Sequence, residues 1–390
     1  MISPADQHHS DTFRADSPRL DPPPIFYIVD WLPPDFGAVG QYASIACEQL
    51  AASGRNVHLI GLTHGAASYE SRPFPVRGGV LTVHKLHAAP YEKTRLFRRL
   101  LWSLTTNMRL LREVLKNRDA GGADIVFTGS PPFMLHFAIA LKYLRSARLT
   151  YRITDFYPEA IIAHLGRRPF VLALFQRLTW FLRRRVDQFE VLGEDQRGLL
   201  LQGGIAPDRI VVKRDTTPVP VTGAERPAPK PPELAGLKVL LYSGNYGVAH
   251  EVETVAQGLI LHHRTEKEVK FGLWLNATGQ NADRLEHQLR RHGVPLARTP
   301  PADLNDLPSL LAAADAHLIA LRPEFSGIVL PSKVYACIFS RRPIVFVGPT
   351  SSDVHLLCER AEQPYIQVTP GDAVGFAQAL ERLAKDEEPR

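Results

Sequence analysis

Residues 237–255 have the sequence LKVLLYSGNYGVAHEVETV, and this stretch decides the fold. It opens with an apolar run typical of a buried strand, continues as a polar loop with two glycines, and ends at the start of a helical pattern. Apolar runs at residues 269–279, 315–321 and 342–349 return later in the chain, and each is followed by a helical or polar segment. This repetition predicts βαβ units and therefore a doubly wound parallel sheet.

The same pattern precedes this stretch. IFYIVD at residues 25–30 predicts a buried strand, the next helix ends at Gly54, and NVHLIGL at residues 56–62 predicts another strand. A proline-rich segment separates the two halves, since prolines do not continue a central strand or helix. We predict a disordered leader at 1–23, an N-terminal domain at 24–218, a linker at 219–236, and a C-terminal domain at 237–390 whose last helix could pack back toward the first domain.

This organisation predicts an α/β protein of two Rossmann-like domains that face each other across a cleft. Ligands of doubly wound sheets bind outside the carboxyl ends of the strands, so the cleft is the expected site.

Composition excludes several classes of protein. The chain of 390 residues is 45% hydrophobic and 22% charged, which is typical of globular domains. Its three cysteines form no C-x-x-C pair, which argues against a disulfide framework, a zinc ribbon or a redox pair and indicates a reducing compartment. No apolar run approaches the roughly 20 residues of a membrane span, and the polar N-terminus has no apolar core of a secretory signal.

Charge is distributed unevenly between the halves. Residues 24–218 hold 26 Lys and Arg against 16 Asp and Glu, whereas residues 237–390 hold 16 against 18. A polyanion or an anionic membrane would therefore meet the first half.

Two glycine-containing loops precede predicted helices, where free backbone N–H groups can bind an anion. The first loop contains Gly37, Ala38, Val39 and Gly40. The second contains Ser243, Gly244, Asn245 and Gly247, with His250 near the start of the next helix. Neither is a G-x-G-x-x-G or P-loop motif, so each alone is also consistent with a tight turn that binds nothing.

A third motif, VLPSKVYACIFSRRPIVFVG, places Ser332 and Lys333 in the first turn of a predicted helix. A cation there opposes the helix dipole, so its presence favours an anionic ligand. The alternative is a surface lysine whose stem packs on the protein while its ammonium reaches water.

The order and spacing of five stretches resemble the GT-B glycosyltransferases, particularly bacterial members of retaining glycosyltransferase family 4. These stretches are DWLPPDFGAVGQY, RITDFYPE, VLGEDQRGLL, YSGNYGVAHEVETV and VLPSKVYACIFSRRPIVFVGP, and the resemblance covers about residues 24–385. It implies that the C-terminal domain binds a nucleotide sugar and the N-terminal domain binds the acceptor. The implied reaction transfers the sugar from a nucleoside diphosphate with retention at the anomeric carbon.

Carried over position by position, the resemblance assigns roles to the motifs. Lys333 would pair with the donor phosphates, and the tyrosine and serine beside it, Tyr335 and Ser332, would lie on the nucleotide side. The diphosphate would be faced by Ser243, Gly244, Asn245 and Gly247, with His250 among the donor-binding residues. The sugar would be approached by residues 324–327, including Glu324, Ser326 and Gly327, while Gly37, Ala38, Val39 and Gly40 would line the acceptor side of the cleft.

The sequence departs from the family pattern at Ala336. Members often carry a Glu-x7-Glu motif whose second glutamate hydrogen-bonds the ribose, and that position falls on Ala336. The best candidate for the first glutamate, Glu324, lies twelve residues earlier rather than eight. Members with a P-S-K-x-Y variant can lack the second glutamate, so sugar transfer is still the prediction.

Two carboxylates on the acceptor side complete the candidate catalytic set with Lys333 and Glu324. Asp155 and Glu159 follow a predicted strand, and either could act as a base or position a hydroxyl. The alternative for Asp155 is a helix cap. No D-x-D pair ends a strand, so we expect no metal and no cofactor besides the donor substrate.

The basic half contains two arginine-rich amphipathic patterns, at residues 93–118 and 167–185. Aromatic and basic side chains on one helix suit an anionic membrane surface. The predicted membrane contacts are Arg98, Arg99, Arg183, Arg184 and Arg185. The alternative is a pair of core helices with solvated arginines; nucleic acid is disfavoured because no binding motif accompanies the charge.

The combined hypothesis is a retaining, metal-independent glycosyltransferase that acts on a lipid-linked glycan at the cytoplasmic face of the inner membrane. One rival is a nucleotide-sugar epimerase of the same fold, which would need no second substrate. The other is a non-catalytic scaffold in polysaccharide assembly, which Ala336 keeps open.

Overall fold

Two sheets organise the computed structural model. It describes residues 22–35, 38–89, 96–117, 121–129, 133–217, 219, 221, 225–265 and 270–385. The predicted leader at 1–23 therefore lies almost wholly outside the described residues.

The first sheet has eight strands, flanked by helices. Its strands are β1 (Ile25–Trp31), β2 (Asn56–Thr63), β3 (Ser68–Phe74), β4 (Gly79–His87), β5 (Asp124–Thr128), β6 (Arg148–Ile153), β7 (Gln188–Val191) and β8 (Ile210–Val212). Its helices are α1 (Ala38–Ala52), α2 (Leu96–Lys116), α3 (Met134–Arg145), α4 (Glu159–Leu165), α5 (Phe170–Arg183) and α6 (Glu194–Gln202).

The second sheet has six strands. They are β9 (Lys238–Asn245), β10 (Phe271–Thr278), β11 (Leu296–Thr299), β12 (Ala316–Ala320), β13 (Ile344–Val347) and β14 (Tyr365–Val368). The helices of this part are α7 (Glu253–Thr265), α8 (Gln280–Arg291), α9 (Leu307–Ala312), α10 (Lys333–Phe339), α11 (Asp353–Glu359) and α12 (Ala373–Ala384).

Strand order confirms the doubly wound prediction. The first sheet runs β3-β4-β2-β1-β5-β6-β7-β8, and the second runs β11-β10-β9-β12-β13-β14. All neighbouring strands pair in parallel except β3 and β4, which are antiparallel. The order reverses beside β1 in one sheet and beside β9 in the other, and ligands of such sheets bind at these reversal points.

Apolar residues cover both faces of each sheet. In the first sheet, α1 contributes Ala43 and Cys47 to one face, while α2 and α3 contribute Leu110 and Leu141 to the other. In the second sheet, α7, α8 and α12 pack on one face, and α9 and α10 pack on the other. Strands buried on both faces read as continuous apolar runs, which explains why the sequence pattern identified them.

The connecting and terminal segments pack on the second domain. Ala228 of the proline-rich linker donates its N–H to the Ser309 carbonyl at 2.9 Å, and Val221 contacts the core around α9. The last helix, α12, packs against α7 through Phe376 and Leu380. We expected that it could reach toward the first domain; its apolar side chains instead complete the core of the second.

Candidate active site

A cavity of about 480 Å³ lies between the carboxyl ends of the two sheets. The first sheet contributes Tyr27 from within β1, Thr128 at the end of β5 and Thr154 just after β6. The second contributes the end of β9 and the start of α10. The cavity therefore occupies the place at which both strand orders reverse, as expected for this fold.

Lys333 provides the most unusual group in the cavity wall. Its Nζ is buried and has no hydrogen-bond partner among the described residues. The atom lies 3.1 Å from the centroid of the Tyr242 ring and 4.0 Å from the position that a Cβ on Gly244 would take. Burial lowers the pKa of Lys333 well below its ordinary value. A buried cation without a partner is costly, so this geometry suits a ligand that brings negative charge.

The loop that faces Lys333 is held in place by the second sheet. Gly244 has φ of 109°, a conformation that favours glycine. Ser243 Oγ donates to Asn276 Oδ1 at 3.3 Å, and the same oxygen accepts the Ala302 N–H at 3.1 Å. Tyr242 donates its hydroxyl to the Asn245 carbonyl at 2.9 Å. The loop is thus rigid, with its small residues turned to the cavity.

His250 lies beside this loop and also lines the cavity. Its Nδ1 lies 3.2 Å from the Gly247 carbonyl, to which it can donate. Burial, together with the nearby Lys333 ammonium, lowers the pKa of His250 to about 3. The imidazole is therefore neutral at physiological pH and can only polarise or hydrogen-bond a ligand there.

The far end of the cavity is mainly apolar. It is lined by Leu241, Pro301, Ala302, Leu304, Leu307, Leu311, Leu318, Ala336 and Cys337. His317 lies among them; burial lowers its pKa to about 3, and its Nε2 lies 2.8 Å from Ser340 Oγ. Ala336 thus lines the ligand cavity itself, in a wall without a carboxylate among its described residues.

Asp155 faces the cavity from the first domain. Its backbone pairs with Val329 of the second domain in an isolated antiparallel bridge. Asp155 is exposed to the open cleft, yet the protein atoms that surround it there, together with the Asp30 carboxylate, raise its pKa to about 6. A carboxylate of that pKa is suited to take or hold a proton near neutral pH.

A buried ion-pair cluster beneath the cavity was missed by sequence reasoning. Arg152 donates to Glu190 Oε2 at 2.9 Å and to Asp215 Oδ1 at 2.5 Å. Burial raises the pKa of Asp215 even though Arg152 opposes this. Arg152 and Asp215 both line the cavity. The available signal was the polar residues in and after the strands in YRITD and VVKRD, but only the sheet brings them together.

Comparison with known proteins shows similarity to glycosyltransferases. Residues 37–214 match the glycosyl transferase 4-like domain. The probable glycosyltransferase WbjE of Pseudomonas aeruginosa is 24% identical over 274 residues, which are 67% of this chain and 66% of that protein, just under two thirds of its length. The segment that matches the domain is less than half of the chain, and solved glycosyltransferase structures share the fold over nearly its whole length.

Solved structures share the fold of this chain. An α,α-trehalose-phosphate synthase (UDP-forming) from Burkholderia vietnamiensis aligns over 92% of this chain and 91% of that chain, with a TM-score of 0.64 and 13% identity. Anabaena Alr3699/HepE in complex with UDP and glucose aligns over 93% and 90%, with a TM-score of 0.59 and 13% identity. The lipopolysaccharide outer core galactosyltransferase WaaB in its apo form aligns over 94% and 91%, with a TM-score of 0.52 and 12% identity.

Many of the predicted site residues meet in the cavity. They are Ala38, Val39, Asp155, Ser243, Gly244, Asn245, His250, Ser332 and Lys333. Gly37 lies outside the described residues, and Gly40 packs on the first strand, since a Cβ there would lie 1.8 Å from the Trp31 carbonyl oxygen.

Other predicted donor residues serve the contact between domains or lie outside the cavity wall. Gly327 donates its N–H to Asp195 Oδ2 at 3.2 Å, and Ser326 Oγ lies 3.3 Å from Ser351 Oγ. Tyr335 is buried beside Asp215, and burial raises its pKa. Gly247 supports the loop by accepting hydrogen bonds from Asn281 and His250 at its carbonyl.

Two predicted catalytic carboxylates do not line the cavity. Glu159 is buried and accepts from Arg183 Nη1 at 2.7 Å, which holds its pKa low against the effect of burial. Glu324 is exposed, 3.5 Å from Arg322. The expectation that Glu159 faces the cleft is therefore corrected: the guanidinium of Arg183 draws it inward.

Only some of the arginines that we predicted to contact a membrane are exposed. Arg183 is fully buried between Glu159, Phe156 and Trp180, so it offers no charge to a membrane. Arg98 and Arg184 are exposed, Arg185 stacks on Phe181, and the side chain of Arg99 lies outside the described residues. No described helix is long and apolar enough to cross a membrane.

The described part of the chain contains no group of three or more His, Cys, Asp or Glu side chains that could hold a metal ion. Metal-independent transfer stays a prediction.

Proposed function

We propose that this protein is a glycosyltransferase that moves a sugar, with retention, from a nucleoside-diphosphate sugar to a lipid-linked glycan acceptor in surface polysaccharide synthesis. One observation carries the proposal: the Lys333 ammonium is buried over the Tyr242 ring without a described hydrogen-bond partner and faces the small-residue loop at Gly244. A diphosphate placed there would supply the missing negative charge. The same cation would stabilise the diphosphate as it leaves, which is where charge develops in glycosyl transfer.

The shape of the cavity supports a nucleotide sugar as donor. Its apolar part, around Leu307 and Leu311, suits a nucleobase, and the polar loop at 243–245 lines the same cavity. Because Ala336 lines this part of the wall, the ribose would be held without the carboxylate that the family often provides. UDP and glucose in the Anabaena neighbour support this class of donor.

The reacting centre would lie between Lys333 and Asp155, since both residues line the cavity, one from each domain. The bond from the anomeric carbon to the donor phosphate breaks, and a bond to the acceptor oxygen forms on the same face of the sugar. Asp155 would orient the acceptor hydroxyl and accept its proton. Retention itself is supported by the resemblance to family 4.

The distribution of charge supports the proposed acceptor and the proposed membrane contact. The net positive half is also the domain that would bind the acceptor, and its exposed arginines suit the anionic cytoplasmic face of the inner membrane. A neighbour of the same fold is a lipopolysaccharide outer core galactosyltransferase, which supports surface polysaccharide synthesis as the setting.

Donor binding tests the proposal first. Thermal unfolding is measured with a panel of nucleoside diphosphates and nucleotide sugars, with NAD as the control. A ligand at 100 times its Kd should stabilise the protein by about 2.7 kcal/mol. The donor so identified is then incubated with lipid-linked acceptors, and NMR of the product reads the anomeric configuration.

The outcomes separate the rival functions. Transfer with the same anomeric configuration supports the proposal, and an inverted product overturns retention. Conversion of the donor to an isomer without acceptor would identify an epimerase. No stabilisation by any donor, in a protein that unfolds cooperatively, would favour the scaffold that Ala336 allows.

A further inference from the structure

Helix α5 presents an apolar face to solvent. Five of its large apolar side chains are between 44% and 81% exposed: Phe170, Val171, Leu174, Leu178 and Phe181. Their spacing places them on one side of the helix. Neighbouring α3 adds exposed Tyr143 and Leu144. A contiguous apolar patch of this kind marks a surface that contacts a partner or a membrane.

A basic pocket of about 450 Å³ lies between α5 and the end of α6. It is lined by Arg168, Gln176, Arg177, Trp180, Arg184, Gln202 and Gly203. Trp180 forms a rigid wall, because a Cβ on Gly203 would lie only 2.0 Å from its ring. On the helix, Arg177 and Arg184 lie between the apolar face and Trp180, so the pocket opens beside that face.

The charges in this pocket are not compensated within the described structure. Arg168 and Arg177 form no ion pair among the described residues, and Arg184 donates only to the Gly203 carbonyl at 3.3 Å. Glu159 is not available, because its carboxylate is buried and held by Arg183. Three guanidinium groups that share a pocket repel one another unless an anion lies between them, and phosphate matches their geometry.

We propose that this pocket binds the phosphate of an anionic phospholipid while the apolar face of α5 enters the membrane interface. The apolar face argues for a lipid rather than a soluble phosphate, since a free anion would need no such neighbour. The pocket shares no lining residue with the cavity that contains Lys333, so it is separate from the donor site. The inference rests on the proposed membrane association and not on sugar transfer.

Vesicle sedimentation tests the site with the full chain. The triple variant Arg168→Gln, Arg177→Gln, Arg184→Gln is compared with Arg264→Gln, Arg291→Gln, Arg382→Gln, which removes three exposed arginines from the second domain. Vesicles contain phosphatidylglycerol in phosphatidylcholine, or phosphatidylcholine alone. We expect the pocket variant to bind anionic vesicles about 100-fold more weakly than the parent, while the control changes less than threefold.

Several results would overturn the inference. An equal loss of vesicle binding in both triple variants would indicate diffuse charge attraction. No loss of vesicle binding in either variant would show that the pocket does not contribute to binding. If inorganic phosphate bound the pocket and the parent ignored anionic vesicles, the ligand would be soluble. A second variant, Leu174→Ser with Phe181→Ser, should also weaken vesicle binding; unchanged binding would contradict the role of α5. Nucleotide binding, measured in parallel, reports folding and tests the donor site separately.

Discussion

At the scale of single residues, Lys333 combines a cost to folding with a use in binding. Replacing it with methionine keeps the stem and removes the buried, unpartnered ammonium. Because an uncompensated buried cation opposes folding, Lys333→Met should unfold at the same or a higher temperature without ligand. Without the cation, turnover should fall about 10²- to 10³-fold, and stabilisation by the nucleoside diphosphate should be lost.

Thermal unfolding with and without the diphosphate measures both effects. Lys385→Met is the matched control, since this exposed lysine follows the last helix and pairs with Glu381. Loss of stability with unchanged diphosphate binding would show that Lys333 serves the fold rather than the ligand.

Asp155 predicts a pH dependence of transfer. Its pKa is raised to about 6, so the carboxylate that would accept a proton is ionised above pH 6 and protonated below it. Accordingly, kcat/KM should fall about tenfold per pH unit below pH 6 and level off above it. Asp155→Asn should be slow, and its kcat/KM should not show this fall below pH 6. The control Asp208→Asn, at an exposed position, should show the same fall as the parent. If kcat/KM of Asp155→Asn still fell below pH 6, the titration would belong to another group.

The sequence predicted those site residues that lie at or directly after the end of a predicted strand. Ser243, Gly244 and Asn245 end β9, and Asp155 follows β6, so local pattern and the rule for parallel sheets suffice. The Arg152–Asp215 pair was not predictable, because its members are 63 residues apart and meet only when β6, β7 and β8 align.

At the scale of elements, the sequence pattern identified the strands with the longest apolar runs and missed β3 and β4 in the first sheet and β11 and β14 in the second. β3 (Ser68–Phe74) is largely exposed, contains Pro73 and pairs with β4 alone. Such an edge strand has neither the apolar run nor the alternation that identifies a strand in sequence. Its antiparallel hairpin therefore extends a sheet whose other pairings are parallel.

The run of three arginines at the end of α5 shows a second limit of sequence patterns. Arg183, Arg184 and Arg185 are adjacent, yet the first is buried on Glu159 and the second is exposed. Each step along a helix turns a side chain by about 100°. A one-residue uncertainty in helix phase therefore decides which arginine faces the core, and composition cannot supply that phase.

At the scale of the whole molecule, polar contacts join the two domains beside the cavity. Arg214 of the first domain donates to the buried Asp353 carboxylate of the second at 3.0 Å. The Asp353 N–H in turn donates to Asp195 Oδ2 at 2.9 Å. A Cβ on Gly193 would lie 2.6 Å from Asp353, so the surfaces fit closely there. Since both domains form the cavity wall, these contacts set the distance between Lys333 and Asp155.

Arg214→Ala tests this coupling. The variant leaves Asp353 buried without its guanidinium partner, which should weaken the closed arrangement. Because the proposed donor contacts lie in the second domain, Kd for the nucleoside diphosphate should change less than threefold, while kcat/KM for the acceptor falls at least tenfold. Small-angle scattering should show a larger radius of gyration. Arg298→Ala, which breaks the contact with Asp283 inside the second domain, should alter neither scattering nor acceptor kinetics. Equal losses of donor and acceptor binding in Arg214→Ala would indicate general destabilisation instead of domain coupling.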